Sequence, residues 1–330
     1  MPNDQHRRKF IQLALFGTIN LYFLKALGSN AAAKPEASAL APYVIGNNSQ
    51  NPGNFHAVFK DPKLKEEFFL FLKNVYNIYP EKEFHTLISR LVDQNKSDEE
   101  IYQRILSDLG TIKPFASELT YALPALAKQK KELADETMEF LKTRKTINGY
   151  LEIGTPGRYI SELKNRLPMT GDIALVNVTE PSFSPQDIVE RGQLFKIARY
   201  IPLNDYAAIA APDSSFEVVT NYIGFHHSSL EKLSNFVASV HRIIKPGGSL
   251  ILRDHDVIDE KMNSMVSLAH DVFNAGLNVS WETNHKEIRN FRSLEQWTAY
   301  LKDRGFEFKG SKILQPGDPT KNTLMEFVKT

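Results

Sequence analysis

The sequence predicts an α/β protein in which a doubly wound, mostly parallel seven-stranded sheet follows an N-terminal helical domain. Two observations predict this fold. Residues 63–144 repeat apolar side chains at steps of three and four, the period of amphipathic helices, and show no strand pattern. From residue 149 onward short apolar runs alternate with helical ones. Strand–helix alternation is typical of a parallel sheet with helices on both faces.

Length and composition bound the function. A chain of 330 residues with 42% apolar and 24% charged residues is globular and long enough for about two domains. A net charge of +1 produces no strong positive electrostatic potential that would attract a phosphate backbone, so we expect no nucleic-acid partner. The absence of cysteine excludes disulfides, thiolate metal sites and cysteine nucleophiles.

Residues 1–33 are predicted to be a signal or anchor segment. Arg7-Arg8-Lys9 precedes an uncharged run over residues 10–24, and Ala31-Ala32-Ala33 follows. The paired arginines before Phe10 resemble a bacterial twin-arginine export signal. This predicts an exported or membrane-anchored protein, with membrane contact through residues 7–25. The alternative is an amphipathic helix that packs on the body or on a membrane, in a cytoplasmic protein.

Three further segments complete the predicted organisation. Residues 34–62 are rich in proline, glycine and asparagine and are predicted to be a linker. Residues 63–148 form the helical domain, in which Ser97 and Glu100 make a capping box that opens a helix ending near Gly110. Residues 149–330 form the sheet domain.

The seven predicted strands lie near residues 150–153, 173–178, 198–203, 216–223, 249–252, 307–313 and 324–329. The turn-rich link over residues 315–319 holds no helix, so the last two strands are predicted to be an antiparallel pair at the sheet edge.

Polar and glycine residues follow the predicted strands. Glu152 closes the first strand, and Gly154 and Gly157 lie in the turn that follows it. Glu180 follows the second strand and Asp205 the third. Ligands bind beyond the carboxyl ends of the strands in an open parallel sheet, so these residues mark the predicted binding edge.

Two more motifs complete the pattern. Asp213, Ser215, Phe216 and Glu217 stand before Val218-Val219, and the turn Lys245-Pro246-Gly247-Gly248 precedes the fifth strand. In this order, residues 149–330 resemble the class I S-adenosylmethionine-dependent methyltransferases of the type 11-like group, whose fold is Rossmann-like.

This resemblance implies a methyltransferase that uses S-adenosyl-L-methionine. It implies that Glu152 orients the first loop near the methionine amino group and that Gly154 and Gly157 let this loop pass the cofactor. By the same resemblance, Glu180 binds the ribose hydroxyls and Asp205 the adenine amino group.

The first loop departs from the family pattern, because Pro156 and Arg158 stand where the family carries glycine. A reshaped loop or weaker cofactor binding is expected. An alternative is a non-catalytic binding or interaction protein on a methyltransferase scaffold. A nicotinamide dehydrogenase is a third hypothesis, disfavoured by the Lys245–Gly248 turn and the antiparallel last strand.

The acceptor is predicted to be a small or lipid-like molecule bound by parts outside the shared core: the helical domain and an insertion over residues 257–292. Residues 261–275 are predicted to form a lid helix, with packing against the core as an equal alternative. Export would separate such an enzyme from its cofactor supply. An uncleaved anchor with the enzyme on the cytoplasmic side, an unusual acceptor chemistry, or a domain that only binds would each resolve this.

Two histidine clusters are candidates for the base that activates an acceptor. One is His226-His227 after the fourth strand, and the other is Asp254-His255-Asp256 after the fifth. Histidine is the usual general base at neutral pH, and an adjacent aspartate orients it. The alternative is that one histidine of each cluster caps a helix or bonds the backbone.

No metal is predicted, although His226 with Asp254, His255 and Asp256 offers an alternative site for Mg²⁺ or Ca²⁺. His270 is interpreted as a face residue of the lid helix.

Overall fold

The computed structural model describes residues 53–94, 97–112 and 123–330. Its α-helices are α1 (Asn54–Phe59), α2 (Pro62–Phe71), α3 (Glu81–Gln94), α4 (Asp98–Ile112), α5 (Leu123–Leu141), α6 (Ile160–Arg166), α7 (Pro185–Arg191), α8 (Leu230–Ile243), α9 (Glu260–Gly276), α10 (Trp281–His285) and α11 (Leu294–Lys302). A π-helical turn, Leu72–Tyr76, extends α2. The predicted signal or anchor over residues 1–33 and the first part of the predicted linker lie outside the described residues.

The strands are β1 (Ile147–Ile153), β2 (Met169–Asn177), β3 (Arg199–Pro202), β4 (Phe216–Asn221), β5 (Ile244–His255), β6 (Phe306–Leu314) and β7 (Asn322–Lys329). They form one sheet in the order β3-β2-β1-β4-β5-β7-β6. The first five strands are parallel, while β7 is antiparallel to both β5 and β6. The predicted fold class is confirmed, as is the antiparallel final pair.

The strand order reverses between β1 and β4, which places the topological switch point between these two central strands. The carboxyl ends of β3, β2, β1, β4 and β5 therefore lie side by side along one edge. This edge carries the residues predicted to bind the cofactor and the two histidine clusters predicted to activate the acceptor.

Helices cover both faces of the sheet because each face is apolar. On one face α8 and α11 pack against the strands through residues such as Phe236, Val240 and Trp297, all fully buried. On the other face α5 and α6 contribute Leu133 and Leu163. Burial of such side chains contributes roughly 1.5–3 kcal/mol each.

The N-terminal helices and α9 share one hydrophobic core. Aromatic and aliphatic side chains of α1–α4 pack against one face of α9, which contributes Met265, Leu268, Ala269, Val272 and Ala275. Of the two interpretations of residues 261–275, packing against a core is the one that the structure supports. A helix whose apolar face is this fully used has little left to act as a mobile cover.

Helix α1 lies inside residues 34–62, which the sequence predicts to be a linker. Its first backbone N–H groups donate to the Asp98 carboxylate, from Asn54 at 2.6 Å and Phe55 at 3.3 Å. Proline and glycine around α1 suggested a linker, but Phe55 and Val58 are fully buried. Tertiary burial outweighs the local composition here.

The Lys245-Pro246-Gly247-Gly248 segment was predicted to be a turn before the fifth strand. In the structure β5 begins earlier, at Ile244, and includes this segment. Phe216 of β4 pairs with Ile244 and Val218 with Ser249, so the strand register shifts across it. The segment is therefore an irregularity inside the strand.

Among the described residues, every helix is too short or too polar to traverse a lipid bilayer.

Candidate active site

Glu152 organises the loop after β1. Its carboxylate is fully buried and accepts hydrogen bonds from the Thr155 hydroxyl, the Tyr150 hydroxyl at 3.3 Å and the Tyr159 backbone N–H at 3.3 Å. Burial raises the pKa of the Glu152 carboxyl from 4.5 to about 7, although these hydrogen bonds and Arg158 oppose the rise. The predicted loop-orienting position of Glu152 agrees with this geometry.

The two predicted glycines are required by backbone geometry. Gly154 has φ 86°, and a Cβ there would lie 2.2 Å from the Ile223 side chain in the loop after β4. Gly157 has φ 88°, a conformation that side-chain-bearing residues rarely adopt. Gly154 therefore lets the loops after β1 and β4 meet at the switch point.

The two departures from the family pattern do different things. Arg158 is fully buried, and its Nε donates to Glu190 of α7 at 2.5 Å. It anchors the first loop to α7. Pro156 lines a cleft at the carboxyl edge. The loop is therefore held by a buried ion pair, while its reshaping relative to the family stays a prediction.

Glu180 faces the cleft that Pro156 lines. The cleft has a cavity volume of about 20 Å³ and is also bordered by Pro181, Lys196 and Tyr200. Lys196 donates to the Glu180 carboxylate at 2.8 Å, and the Glu180 side chain is 57% exposed. An exposed pair of this kind contributes only about 0–1 kcal/mol, so Glu180 can exchange Lys196 for ligand hydroxyls at small cost.

Asp205 lies in an unusual turn after β3. Asn204, Asp205 and Tyr206 have φ values of 45°, 53° and 60°, three consecutive residues in the left-handed region. Such conformations cost roughly 1–3 kcal/mol each and concentrate at functional sites. The Asp205 carboxylate accepts a hydrogen bond from Lys232 of α8. Since α8 covers the opposite face from the Glu180 cleft, the two acids approach the same edge from two faces.

His226 and Asp254 form a buried pair between the ends of β4 and β5. Nδ1 of His226 lies 2.7 Å from an Asp254 oxygen. The same carboxylate accepts the backbone N–H groups of Phe225 and His255, each at 2.8 Å. Asp254 thus joins the loop after β4 to the end of β5 and fixes the ring of His226.

His227 and His255 lie in the same cluster, together with His270 of α9. The ring centre of His226 lies 4.2 Å from that of His227 and 5.5 Å from that of His255. Burial, followed by the neighbouring histidines, lowers the pKa values of His227 and His255, and burial lowers the pKa of His270. These rings are neutral at pH 7.

Sequence reasoning missed His270 and the acid beside it. Nδ1 of His270 lies 3.7 Å from Glu287, and Nδ1 of His227 lies 3.6 Å from the same carboxylate. Burial alone would raise the pKa of Glu287, but Arg289 and the histidines outweigh it and lower the pKa. The signal in the sequence was the position of His270 four residues after the buried Val266, which places both side chains on the same side of α9.

The alternative Mg²⁺ or Ca²⁺ site is not supported by the contacts of its carboxylates. Asp254 holds His226 and two backbone N–H groups. Asp256 accepts the backbone N–H of Leu294 at 3.0 Å, at the start of α11. Both carboxylates are therefore already engaged in hydrogen bonds within the protein. The remaining candidate ligands here are histidine ring nitrogens, whereas Mg²⁺ and Ca²⁺ prefer oxygen ligands.

The chain was compared with known proteins by sequence and by structure. Residues 151–252 match the sequence-family model of a methyltransferase domain, which here runs from β1 into β5. No curated protein is detectably similar to this chain.

Solved structures share the fold at low identity. One is 1,6-didemethyltoxoflavin-N1-methyltransferase from Burkholderia thailandensis, with S-adenosylhomocysteine and 1,6-didemethyltoxoflavin bound (11% identity, 71% of this chain and 91% of that chain covered, TM-score 0.43). Others are S-adenosylmethionine-dependent methyltransferases from Methanosarcina mazei (15%, 56% and 93%, 0.41) and Mesorhizobium loti (10%, 59% and 98%, 0.42). Identities and scores this low transfer neither substrates nor residue roles.

The family match covers the loops after β1, β2, β3 and β4, and it ends before Asp254 and His255. The predicted enzyme class, a methyltransferase, and the predicted cofactor, S-adenosylmethionine, are thereby confirmed.

Proposed function

We propose that this enzyme transfers a methyl group from S-adenosylmethionine to a small acceptor molecule bound beside His226. The observation that carries the proposal is the buried His226–Asp254 pair at the ends of β4 and β5, next to the switch point. The pair lies one strand away from the glycine loop after β1. Donor and acceptor sites on adjacent loops are what a direct transfer between two bound molecules requires.

The residues of the carboxyl edge fit the donor. S-adenosylmethionine, when bound, supplies a methyl group already activated by its sulfonium. Glu152 would hold the first loop in place, with Gly154 and Gly157 allowing close approach of the backbone. Glu180 and Asp205, each paired with an exposed lysine, would accept hydrogen bonds from the ribose and the adenine.

The acceptor side favours a small molecule because its polar groups are enclosed. His226, His227 and His255 are each less than a tenth exposed. The segment after α9 covers them, and the backbone N–H of Asn290 donates to the carbonyl of His226 at 2.8 Å. A macromolecular surface would not reach these side chains. Nε2 of His226 is buried without a hydrogen-bond partner among the described residues and is the proposed atom for acceptor activation, with His227 and His255 beside it.

Export by the twin-arginine-like segment also remains a proposal. It rests on Arg7-Arg8 and the uncharged run that follows. Mass spectrometry of the mature N-terminus after cell fractionation tests it, because an intact Met1 in the cytosolic fraction would refute export.

The proposed cofactor site is tested by calorimetry with S-adenosylhomocysteine. Glu180→Ala is expected to weaken binding by about tenfold or more, because a hydrogen bond to a charged group contributes about 1.5–3 kcal/mol. Asp205→Ala is expected to weaken it similarly.

Asp172→Ala is the matched control. Asp172 is also an exposed acid in an ion pair, with Arg199 at 2.6 Å, but it lies toward the other end of β2. This variant should bind like the wild type. Unchanged affinity in both Glu180→Ala and Asp205→Ala would refute the placement of the adenosine, and no binding by the wild type at millimolar ligand would favour a non-catalytic scaffold.

A further inference from the structure

Three histidines from three separate elements converge on one point. His226 follows β4, His255 ends β5, and His270 lies on α9. Their ring centres are 5.2, 5.5 and 5.7 Å apart. One nitrogen of each ring lies within 4.8 Å of the others.

Hydrogen bonds fix which nitrogen each ring presents. Nδ1 of His255 lies 3.0 Å from the Thr320 carbonyl, which only accepts, so this nitrogen carries the proton. Nδ1 of His226 donates to Asp254, whose carboxylate is likewise an acceptor. Nδ1 of His270 faces Glu287. Since Nδ1 is directed at an acceptor in each ring, Nε2 is the nitrogen that each ring can offer to a ligand.

The lone pair of His226 is buried without a hydrogen-bond donor. Its Nε2 atom has no partner among the described residues, and the residue is only 3% exposed. A buried polar atom left in this state costs about 1–3 kcal/mol, so its persistence calls for a ligand.

The geometry points to a site for a divalent transition-metal ion bound by Nε2 of His226, His255 and His270. An ion about 2.0–2.1 Å from each nitrogen places three ring centres about 5–6 Å apart, as found here. Metal-binding histidines typically donate their other N–H to a carboxylate or carbonyl, and all three rings face such a group.

The chemistry of the ligands selects the ion. Three neutral imidazoles suit Zn²⁺, Co²⁺, Ni²⁺ or Cu²⁺, whereas Mg²⁺ and Ca²⁺ prefer oxygen. A second histidine group, His227 and His270 with Glu287, is less suitable. The Glu287 carboxylate already accepts hydrogen bonds from Arg289 at 2.9 Å and Asn274 at 3.1 Å.

Three histidines are one ligand short of the four that Zn²⁺ usually takes. Phe291 packs against all three rings, at 5.0, 5.9 and 5.1 Å between ring centres, and shields one side. Three protein ligands with an open position are characteristic of catalytic rather than structural zinc. With an ion bound, Nε2 of His226 is a metal ligand and accepts no proton, so the ion rather than the free imidazole would activate an acceptor whose oxygen or nitrogen atom takes the fourth position. This last role rests on the proposed function, whereas the metal site itself does not.

The test is a zinc titration of tag-free, full-length protein after chelator treatment, followed by calorimetry. One ion per chain is expected. His255→Ala and His270→Ala should each lower zinc affinity by at least about 100-fold, and Asp254→Asn, which changes the group behind His226, by about 10–100-fold. The control is His241→Ala on α8, whose ring bonds the Gly305 carbonyl and should leave binding unchanged.

Cobalt substitution keeps the proposal testable if an alanine variant does not fold. Wild-type protein should give the intense visible absorption of four-coordinate Co²⁺, which the aqua ion lacks. A wild type that binds zinc no more tightly than His255→Ala, or a spectrum of aqua-like cobalt, overturns the site.

S-adenosylhomocysteine binding is measured on the same samples, so the two proposals fail separately. Wild-type protein that binds S-adenosylhomocysteine but not zinc would overturn only the metal site. Zinc binding without cofactor binding overturns only the proposed function.

Discussion

At the scale of single residues, Glu152 combines complete burial with a carboxyl pKa of about 7. Because the folded state favours its neutral form, Glu152 stabilises the fold below its ordinary pKa of 4.5. That contribution is lost as the pH rises through about 7. Near neutral pH its charge therefore works against the stability of the free protein.

Glu152→Gln should remove this pH dependence. Urea unfolding of the cofactor-free protein at pH 5 and pH 8 measures it. The variant is expected to gain up to about 2–3 kcal/mol relative to wild type between these values, since one pKa unit corresponds to about 1.4 kcal/mol. A difference between the two proteins that is the same at both pH values would contradict the raised pKa.

The buried Arg158–Glu190 pair gives a second prediction. Arg158→Met leaves Glu190 buried without this partner and should lower the free energy of unfolding by about 3–5 kcal/mol. The matched control is Arg199→Met, because Arg199 forms an exposed pair with Asp172, and such pairs contribute about 0–1 kcal/mol. Equal losses in denaturant unfolding would show that the Arg158 pair is not the anchor inferred here.

At the scale of elements, α9 belongs to two parts of the molecule. It follows β5 in the chain, yet its apolar face completes the core of the N-terminal helices. Its other residues, through His270, reach the histidine cluster at the sheet edge. One helix therefore transmits the position of the helical layer to the proposed acceptor site.

Leu268→Ala tests how strongly α9 holds this core. Leu268 is fully buried, so its truncation should cost about 2–5 kcal/mol in urea unfolding. The control is Leu70→Ala on α2, where the leucine is 41% exposed and the change should stay within about 0.5 kcal/mol. Comparable costs at both positions would argue against a shared core.

At the scale of the whole molecule, the helical layer and the sheet are expected to unfold together. Because the N-terminal helices and α9 share one core, neither should stay folded without the other. Helix α9 follows β5 in the chain, which links this core to the sheet. The sequence has only two tryptophans, one in each region. Trp281 contacts Tyr102 of α4, while Trp297 is buried against the sheet.

The variant Trp281→Phe keeps Trp297 as its single fluorescent tryptophan, and Trp297→Phe keeps Trp281. Their fluorescence transitions in urea should each coincide with the circular dichroism transition of the same variant, as a two-state protein requires. Separate midpoints within a variant would instead show that helices α1–α4 and α9 unfold independently of the sheet.

The spacing of apolar and turn residues predicted helices and strands correctly where tertiary burial follows the same spacing. Alternating strands and helices gave the parallel sheet, and the turn-rich link gave the antiparallel pair of β6 and β7. Prediction failed where tertiary contacts outweigh composition, as at α1, which Asp98 and burial hold inside a predicted linker. His270 was missed because it lies on a helix that sequence reasoning placed outside the core.

The sequence by itself determined the fold class, the loops that follow the strands and the enzyme class, because each depends on residue order along the chain. Only the tertiary structure decided which side chains meet. The Asp254 carboxylate contacts the ring of His226 but only the backbone N–H of its neighbour His255, and His270 joins them from a helix. Spacing along the chain cannot specify such contacts, because they arise when strands that are distant in sequence become neighbours in the sheet.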